Sequence, residues 1–182
     1  MRSCLPRRRL AGLPRTAFST ALAHFGVGVT VIGIVTASAW QLELITTMQP
    51  GTSQPLGNYT VTFDSSADRT GENFMAETGR FTVTAPDGST RQLAPERRVY
   101  PASGTPTTEA AIETYGFSQL YLQLGEQAAD GSHVVRAWYK PFVTLIWLGC
   151  IIMAAAGVLS LSDRRLRVGA PRPAAAKPVP AE

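Results

Sequence analysis

The stretch STALAHFGVGVTVIG, residues 19–33, decides the fold, because it is a long apolar run whose single ionisable side chain is His24. It lies within a segment, Thr16 to Leu42, that contains no Asp, Glu, Lys or Arg. A helix rises about 1.5 Å per residue, so a run of this length is sufficient to cross a hydrocarbon core of roughly 30 Å. The stretch therefore predicts a transmembrane helix with a histidine in its interior.

A second uncharged run, from Pro141 to Ser162, predicts a second transmembrane helix. The polar stretch between the runs is long enough for one small core. We therefore predict a membrane protein in which two transmembrane α-helices flank a small antiparallel β-rich periplasmic domain. A soluble protein is disfavoured, because uncharged runs of this length are rarely core helices. The first run also has features of a cleaved signal peptide, with TASAW at residues 36–40 as the cleavage site, but it is longer than a typical signal.

The charge distribution predicts the orientation in the membrane. The flanks outside the two runs carry ten basic and two acidic residues, whereas the central segment carries seven basic and eleven acidic residues. The positive-inside rule then places both termini in the cytoplasm and the central domain outside the membrane. The basic excess is a topology signal and gives no reason to expect a nucleic-acid partner. The predicted organisation is a basic cytoplasmic flank (1–15), a first transmembrane helix (16–40), a periplasmic β-rich domain (41–139), a second transmembrane helix (140–162) and a disordered cytoplasmic tail (163–182).

The central segment alternates apolar and polar residues with a period of two, which is typical of β-strands. The pattern occurs in NYTVTF (58–63), RFTVT (80–84), LYLQL (120–124) and HVVRAWY (133–139), and the turn sequences APDGS and ADGS each follow one of these runs. With a further strand near Leu44–Met48, these hairpins predict a small antiparallel sheet or an open barrel.

The β domain contains no recognisable catalytic constellation, so we do not expect this chain to be catalytic alone. His133 follows an Asp-Gly turn and is expected to be solvated. Arg97 and Arg98 have two interpretations: they bind carboxylates such as heme propionates, or they are paired residues of a surface strand.

His24 is the residue most suggestive of function, because an ionisable side chain within a membrane helix is costly. Ala21, His24 and Gly28 share one helix face, and two small residues beside an imidazole leave room for a flat, bulky group. Neutral imidazole is a common ligand of heme iron. Gly26 and Gly33 form a second small-residue face, which predicts close helix packing. The residues alone leave two hypotheses: His24 is a cofactor ligand, or it hydrogen-bonds a neighbouring helix.

Three segments together resemble the C-terminal part of cytochrome c maturation protein F, the CcmF/NrfE-type heme lyase family. They are ALAHFGVGVTVIGI (21–34), ERRVYPASGTPTTEAAI (96–112) and VRAWYKPFVTLIWLGCIIMAAAGVLSLSDRR (135–165). The resemblance extends from about Leu13 to Arg165. It implies an inner-membrane protein that takes part in the covalent attachment of heme to apocytochrome c.

The resemblance also implies a cofactor and partners. The family holds a b-type heme between two histidines, and His24 falls at the position of one of these axial ligands, with Ala21 and Gly28 giving clearance. The second histidine and the tryptophan-rich segment that presents incoming heme have no counterpart in this sequence. The implied role is that of a C-terminal portion or split subunit, with the rest of the lyase, the heme chaperone CcmE, apocytochrome c and a CcmH-type thiol protein as partners. The alternative is a non-catalytic membrane scaffold with a periplasmic docking domain.

Overall fold

A computed structural model describes residues 15–162, so the predicted cytoplasmic flank, except for its last residue, and the predicted tail lie outside the described residues. Helix α1 spans Arg15–Ala39 and helix α2 spans Thr144–Leu161. Ten strands lie between the helices: β1 Leu42–Met48, β2 Ser53–Leu56, β3 Tyr59–Thr70, β4 Met75–Thr84, β5 Thr90–Leu93, β6 Glu96–Val99, β7 Pro106–Glu109, β8 Ala111–Tyr115, β9 Ser118–Gln127 and β10 His133–Lys140. Two apolar helices flanking a β-rich domain confirm the predicted fold class.

Both helices are long and apolar enough to cross a membrane, over Ala17–Ala39 and Thr144–Leu161. At about 1.5 Å per residue they span roughly 35 Å and 27 Å. Most of their side chains are exposed, with large apolar residues such as Ile151 and Val158 among them. Core helices of a soluble protein would bury these side chains, so the pattern favours lipid-facing helices.

The chain forms two compact units. The first contains the described residues up to Thr30 and from Leu148 onward, and the second contains Val31–Trp147. In the first unit the backbones of α1 and α2 are in close contact. A Cβ atom added to Gly149 would lie 2.6 Å from the carbonyl oxygen of Gly26, and one added to Gly26 would lie 2.9 Å from that of Gly149. In the second unit, a Cβ added to Gly33 would lie 2.8 Å from the backbone nitrogen of Ile146. The predicted close packing at Gly26 and Gly33 is confirmed.

Replacing Gly149 by valine should separate the helices, because its side chain would meet backbone atoms that have no room to shift. We expect a loss of about 1–3 kcal/mol, measured as a lower thermal midpoint of the full chain in detergent. Gly157 lies on the same helix, and an added Cβ there meets nothing within 4 Å. Gly157→Val is therefore the matched control. Equal midpoints for the two variants would contradict the observed helix contact.

The β domain is a sandwich of two antiparallel sheets. One sheet has the strand order β1-β10-β9-β8, and the other has the order β2-β3-β4-β6-β7, with β5 paired to the C-terminal half of β4. The predicted antiparallel pairing is correct. The open barrel is wrong, because the strands divide into two sheets whose inner faces pack on each other.

The core lies between the two sheets and follows from the alternation of apolar residues. Phe63 and Phe81 stack with ring centroids 4.7 Å apart, and both are fully buried. Opposite them, β9 and β10 contribute the buried side chains of Leu120, Leu122, Leu124, Val135 and Ala137. The period of two places these residues on the inner face and the polar residues between them on the outer face.

Candidate functional site

His24 lies in the middle of α1 with its side chain exposed. Its Nδ1 is 2.8 Å from the backbone carbonyl oxygen of Thr20, one turn earlier in the helix. A carbonyl only accepts, so this contact assigns the ring proton to Nδ1 and leaves the lone pair on Nε2. Within residues 15–162 no hydrogen-bond partner of Nε2 is present. The imidazole thus has the tautomer that a metal-binding histidine needs, with a backbone group fixing its orientation.

The helix face around His24 is uncovered within the described part of the chain. Ala21 and Gly28 are exposed, and a Cβ placed on Gly28 would meet nothing within 4 Å. Gly26, which contacts α2, is two residues from His24 and therefore about 200° away around the helix axis. The packing of α2 on α1 consequently leaves the His24 face free for a bulky group or another protein segment.

The hydrogen bond of His24 also bears on the alternative hypothesis, in which His24 hydrogen-bonds a neighbouring helix. It is made to the backbone of α1 itself and not to α2. Among residues 15–162, therefore, this hydrogen bond of His24 does not connect the two helices. A hydrogen bond from His24 to another helix would require a helix from outside the described residues.

The second sequence candidate, Arg97 and Arg98, lies on β6. Arg98 Nη2 is 2.7 Å from Glu96 Oε2, and Arg69 Nη1 is 2.7 Å from Glu96 Oε1. Arg97 Nη2 is 3.1 Å from Glu126 Oε1. Both β6 arginines already have carboxylate partners within the domain, which favours the structural interpretation over ligand binding.

The Glu96 carboxylate is the centre of this cluster and is only 7% exposed. The hydrogen bond from Arg98 is the main cause that lowers the pKa of Glu96, and the hydroxyl of Thr78 and the charge of Arg69 act in the same direction. The Arg98 guanidinium also lies over the ring of Phe74, 4.5 Å from its centroid. The cluster ties β6 to β4 and β3.

Glu96→Gln should destabilise the chain by about 2 kcal/mol at neutral pH, since hydrogen bonds to a charged group are lost. A carboxyl group whose folded pKa is lowered stabilises the fold above its unfolded pKa and loses this effect as the pH falls through the folded value. The difference in the free energy of unfolding between wild type and Glu96→Gln should therefore decrease below about pH 4.5. Thermal melts from pH 7 to pH 3 measure it. Glu126→Gln, at an exposed pair, should change little at any pH.

His133 corrects a sequence prediction. It was expected to be solvated, but its exposure is 0% and its Nε2 hydrogen-bonds Glu77 Oε1 across the sandwich. The ring of Phe63 meets it edge-on at 5.3 Å, and Nδ1 has no partner in the part of the chain that the structure describes. His133 begins β10 and has the same parity as Val135 and Ala137, so its side chain points inward. The alternation in HVVRAWY therefore predicts a buried His133, whereas the adjacent Asp-Gly turn suggests an exposed one.

The chain is similar to proteins of cytochrome c biogenesis. The family model described as "CcmF C-terminal beta-sandwich" matches residues 39–141. Cytochrome c-type biogenesis protein CycK of Rhizobium meliloti is 50% identical over 164 residues, which are 90% of this chain and 24% of that protein. Cytochrome c-type biogenesis protein CcmF of Pseudomonas aeruginosa is 36% identical over 156 residues, 86% of this chain and 24% of that protein. The chain thus spans about a quarter of the length of these curated relatives.

A solved structure with the same fold is "Cytochrome c Heme Lyase CcmF". The TM-score is 0.70, the sequence identity is 15%, and the similarity covers 81% of this chain and 25% of that one. At this identity the likeness shows the fold of helices and sandwich and nothing about individual residues.

Proposed function

Because this chain belongs to the CcmF family, we propose that it acts as the C-terminal portion, or a separately encoded subunit, of a cytochrome c heme lyase. Its task is to contribute one axial histidine to a b-type heme within the membrane. The observation that carries this proposal is the state of His24: Nδ1 hydrogen-bonds the carbonyl of Thr20, and the exposed ring keeps the Nε2 lone pair for a ligand.

The residues around His24 fit a heme. Thr20 fixes the ring orientation and the tautomer through its carbonyl, and Ala21 and Gly28 leave the neighbouring surface free of bulky side chains. A heme held here by His24 would supply one-electron chemistry, which would help to keep reduced the iron of the second heme, the one attached to apocytochrome c. His133 is enclosed in the sandwich and is not available as the second axial ligand, so that ligand comes from another part of the lyase.

The partners follow from the same proposal. The rest of the lyase supplies the second ligand, and the β domain lies on the periplasmic side with CcmE, apocytochrome c and a CcmH-type thiol protein. The orientation, with both termini in the cytoplasm of a bacterial inner membrane, is supported by the basic flanks and the acidic central segment. We place the membrane segments within the predicted ranges 16–40 and 140–162, the second beginning at Thr144 because Lys140 still belongs to β10, and we keep the domain that begins at residue 41 in the periplasm.

The alternative function is a membrane scaffold. It is supported by the internal pairing of Arg97 and Arg98, the two arginines that the sequence suggests for ligand binding. In this case the complex would assemble through this chain, and His24 would have no role in heme binding.

The proposed function is tested by deleting the gene and complementing the deletion with a tagged copy. We expect loss of covalently bound heme from c-type cytochromes, seen by heme staining, and its recovery on complementation. The tagged chain should co-purify from native membranes with the remaining lyase segments and with a b-type reduced spectrum. Normal cytochrome c in the deletion strain would refute the proposal, and a heme-free but assembled complex would favour the scaffold.

A further inference from the structure

The turn between β8 and β9 presents a phenylalanine at its tip. Tyr115 pairs with Ser118, so the loop contains only Gly116 and Phe117. Gly116 has φ +60°, the conformation that glycine provides at the first position of a tight hairpin turn. The Phe117 side chain is 55% exposed. A short, rigid turn therefore presents a large apolar ring outside the core.

This turn is attached to the first residue of α2. The backbone nitrogen of Thr144 donates to the carbonyl oxygen of Phe117 at 3.2 Å, and the Thr144 hydroxyl donates to the same oxygen at 2.8 Å. Since α2 begins at Thr144, these bonds hold Phe117 level with the start of an apolar membrane helix.

Phe142 lies beside the same helix start in an unusual conformation. Its φ is 55°, which is a costly backbone geometry for a bulky residue. Two bonds hold it there: its nitrogen is 3.4 Å from Ser118 Oγ, and its carbonyl accepts from Leu145 at 3.0 Å. The side chain is nevertheless 43% exposed. The fold thus retains a strained residue whose ring contributes little to the core.

The chain segments that carry the two rings contain no charged residue, and exposed tryptophans lie at the ends of the two helices. No Asp, Glu, Lys or Arg occurs between Glu113 and Glu126 or between Lys140 and Asp163. Trp40, just after α1, and Trp147, in the first turn of α2, are 62% and 67% exposed. Aromatic residues at helix ends are typical of the membrane–water interface, where apolar rings meet the headgroup region.

We propose that the Gly116–Phe117 turn, together with Phe142, is a lipid-interface anchor that inserts into the bilayer surface beside α2. The occupant of this surface is phospholipid, because Thr144 fixes the turn at the helix entry. Both rings lie in uncharged stretches of the chain, and the charged residue nearest to Phe142 in sequence is a cation, Lys140, as expected at a headgroup boundary. The anchor gives the β domain a third attachment to the membrane, besides the two helices, and so restrains its tilt.

Site-directed spin labelling of the full chain in phospholipid nanodiscs tests the depth of the turn. The labels are placed in a cysteine-free background (Cys4→Ser, Cys150→Ala). The measured quantity is the ratio of the collision rate with oxygen to that with a water-soluble nickel chelate. This ratio should be several-fold higher for a label at Phe117→Cys than for a label at Ile112→Cys. Ile112 is the matched control, because it is 52% exposed and lies near the other end of β8. A label at residue 117 that is as accessible to nickel as one at 112 overturns the anchor.

A photo-cross-linking amino acid at the same positions identifies what the turn touches in the assembled complex, and its ring replaces phenylalanine conservatively. Benzoylphenylalanine at position 117 should give phospholipid adducts in native membranes, whereas position 112 should not. Adducts at 117 to protein alone overturn the proposal and identify a protein-binding turn instead. Neither measurement depends on His24 or on heme, so failure here is distinct from failure of the heme-lyase role.

Discussion

Replacing His24 by alanine is expected to remove most of the b-type heme signal from the complex purified from native membranes. The physical reason is the loss of the exposed imidazole of α1, whose Nδ1 hydrogen-bonds the backbone and whose Nε2 keeps its lone pair. Heme content is measured by the pyridine hemochrome assay and the reduced absorption spectrum. His24→Met should retain some heme with a raised reduction potential, because a thioether ligand favours ferrous iron relative to imidazole.

Matched variants on the same helix separate ligation from packing. Gly28→Leu places a bulky side chain on the His24 face, where nothing now lies within 4 Å of the glycine, and should also reduce heme. Phe25→Leu changes an exposed side chain about 100° from His24 around the helix and should leave heme unchanged. Equal heme in wild type and His24→Ala, with the complex intact and cytochrome c still maturing, would contradict the ligand assignment and favour the scaffold.

Glu77→Ala should destabilise the β sandwich by about 3 kcal/mol, because it leaves the fully buried His133 without a partner for either ring nitrogen. Glu77→Gln keeps a hydrogen-bonding group at the same place and should cost about 1 kcal/mol. Thermal unfolding of the full chain in detergent, followed by circular dichroism in the β region, measures both. The alanine variant should melt roughly 10 °C lower than wild type.

Glu113→Ala is the control for this comparison. Glu113 also faces a basic group across strands, Arg91 at 3.7 Å, but both side chains are substantially exposed. An exposed pair contributes about 0–1 kcal/mol, so this variant should melt close to wild type. If Glu77→Ala and Glu113→Ala melt alike, the contact between His133 and Glu77 does not stabilise the sandwich.

The helices could be predicted from the sequence because their signal is local. The absence of charge from Thr16 to Leu42 and from Pro141 to Ser162 follows directly from the cost of placing charge in hydrocarbon. The helix contact was also readable, since Gly26 and Gly33 have the spacing of one face. For the same reason the sequence separates the His24 face from the face that packs on α2.

The sandwich was only partly predictable, because its pairing is not local. The alternation in β3, β4, β9 and β10 identified the core strands. The short strands β6 and β7 lie in ERRVYPASGTPTTE, where no period of two is visible, and their order beside β4 depends on pairs such as Glu96 with Thr78. The partner of His133 was likewise hidden, since Glu77 is far away in the sequence and meets it only when the two sheets pack.

The pairing of the first and last strands has a consequence for the order of folding. Leu42 of β1 faces Tyr139 of β10, so the strand that follows α1 has its ladder partner at the far end of the domain. Closing so long a loop is entropically costly and slows folding. During synthesis β1 therefore remains an unpaired edge strand until β10 has been synthesised, immediately before α2. Completion of the sandwich and arrival of the second helix are thus nearly simultaneous events, and a nascent chain that stalls before β10 exposes an aggregation-prone strand.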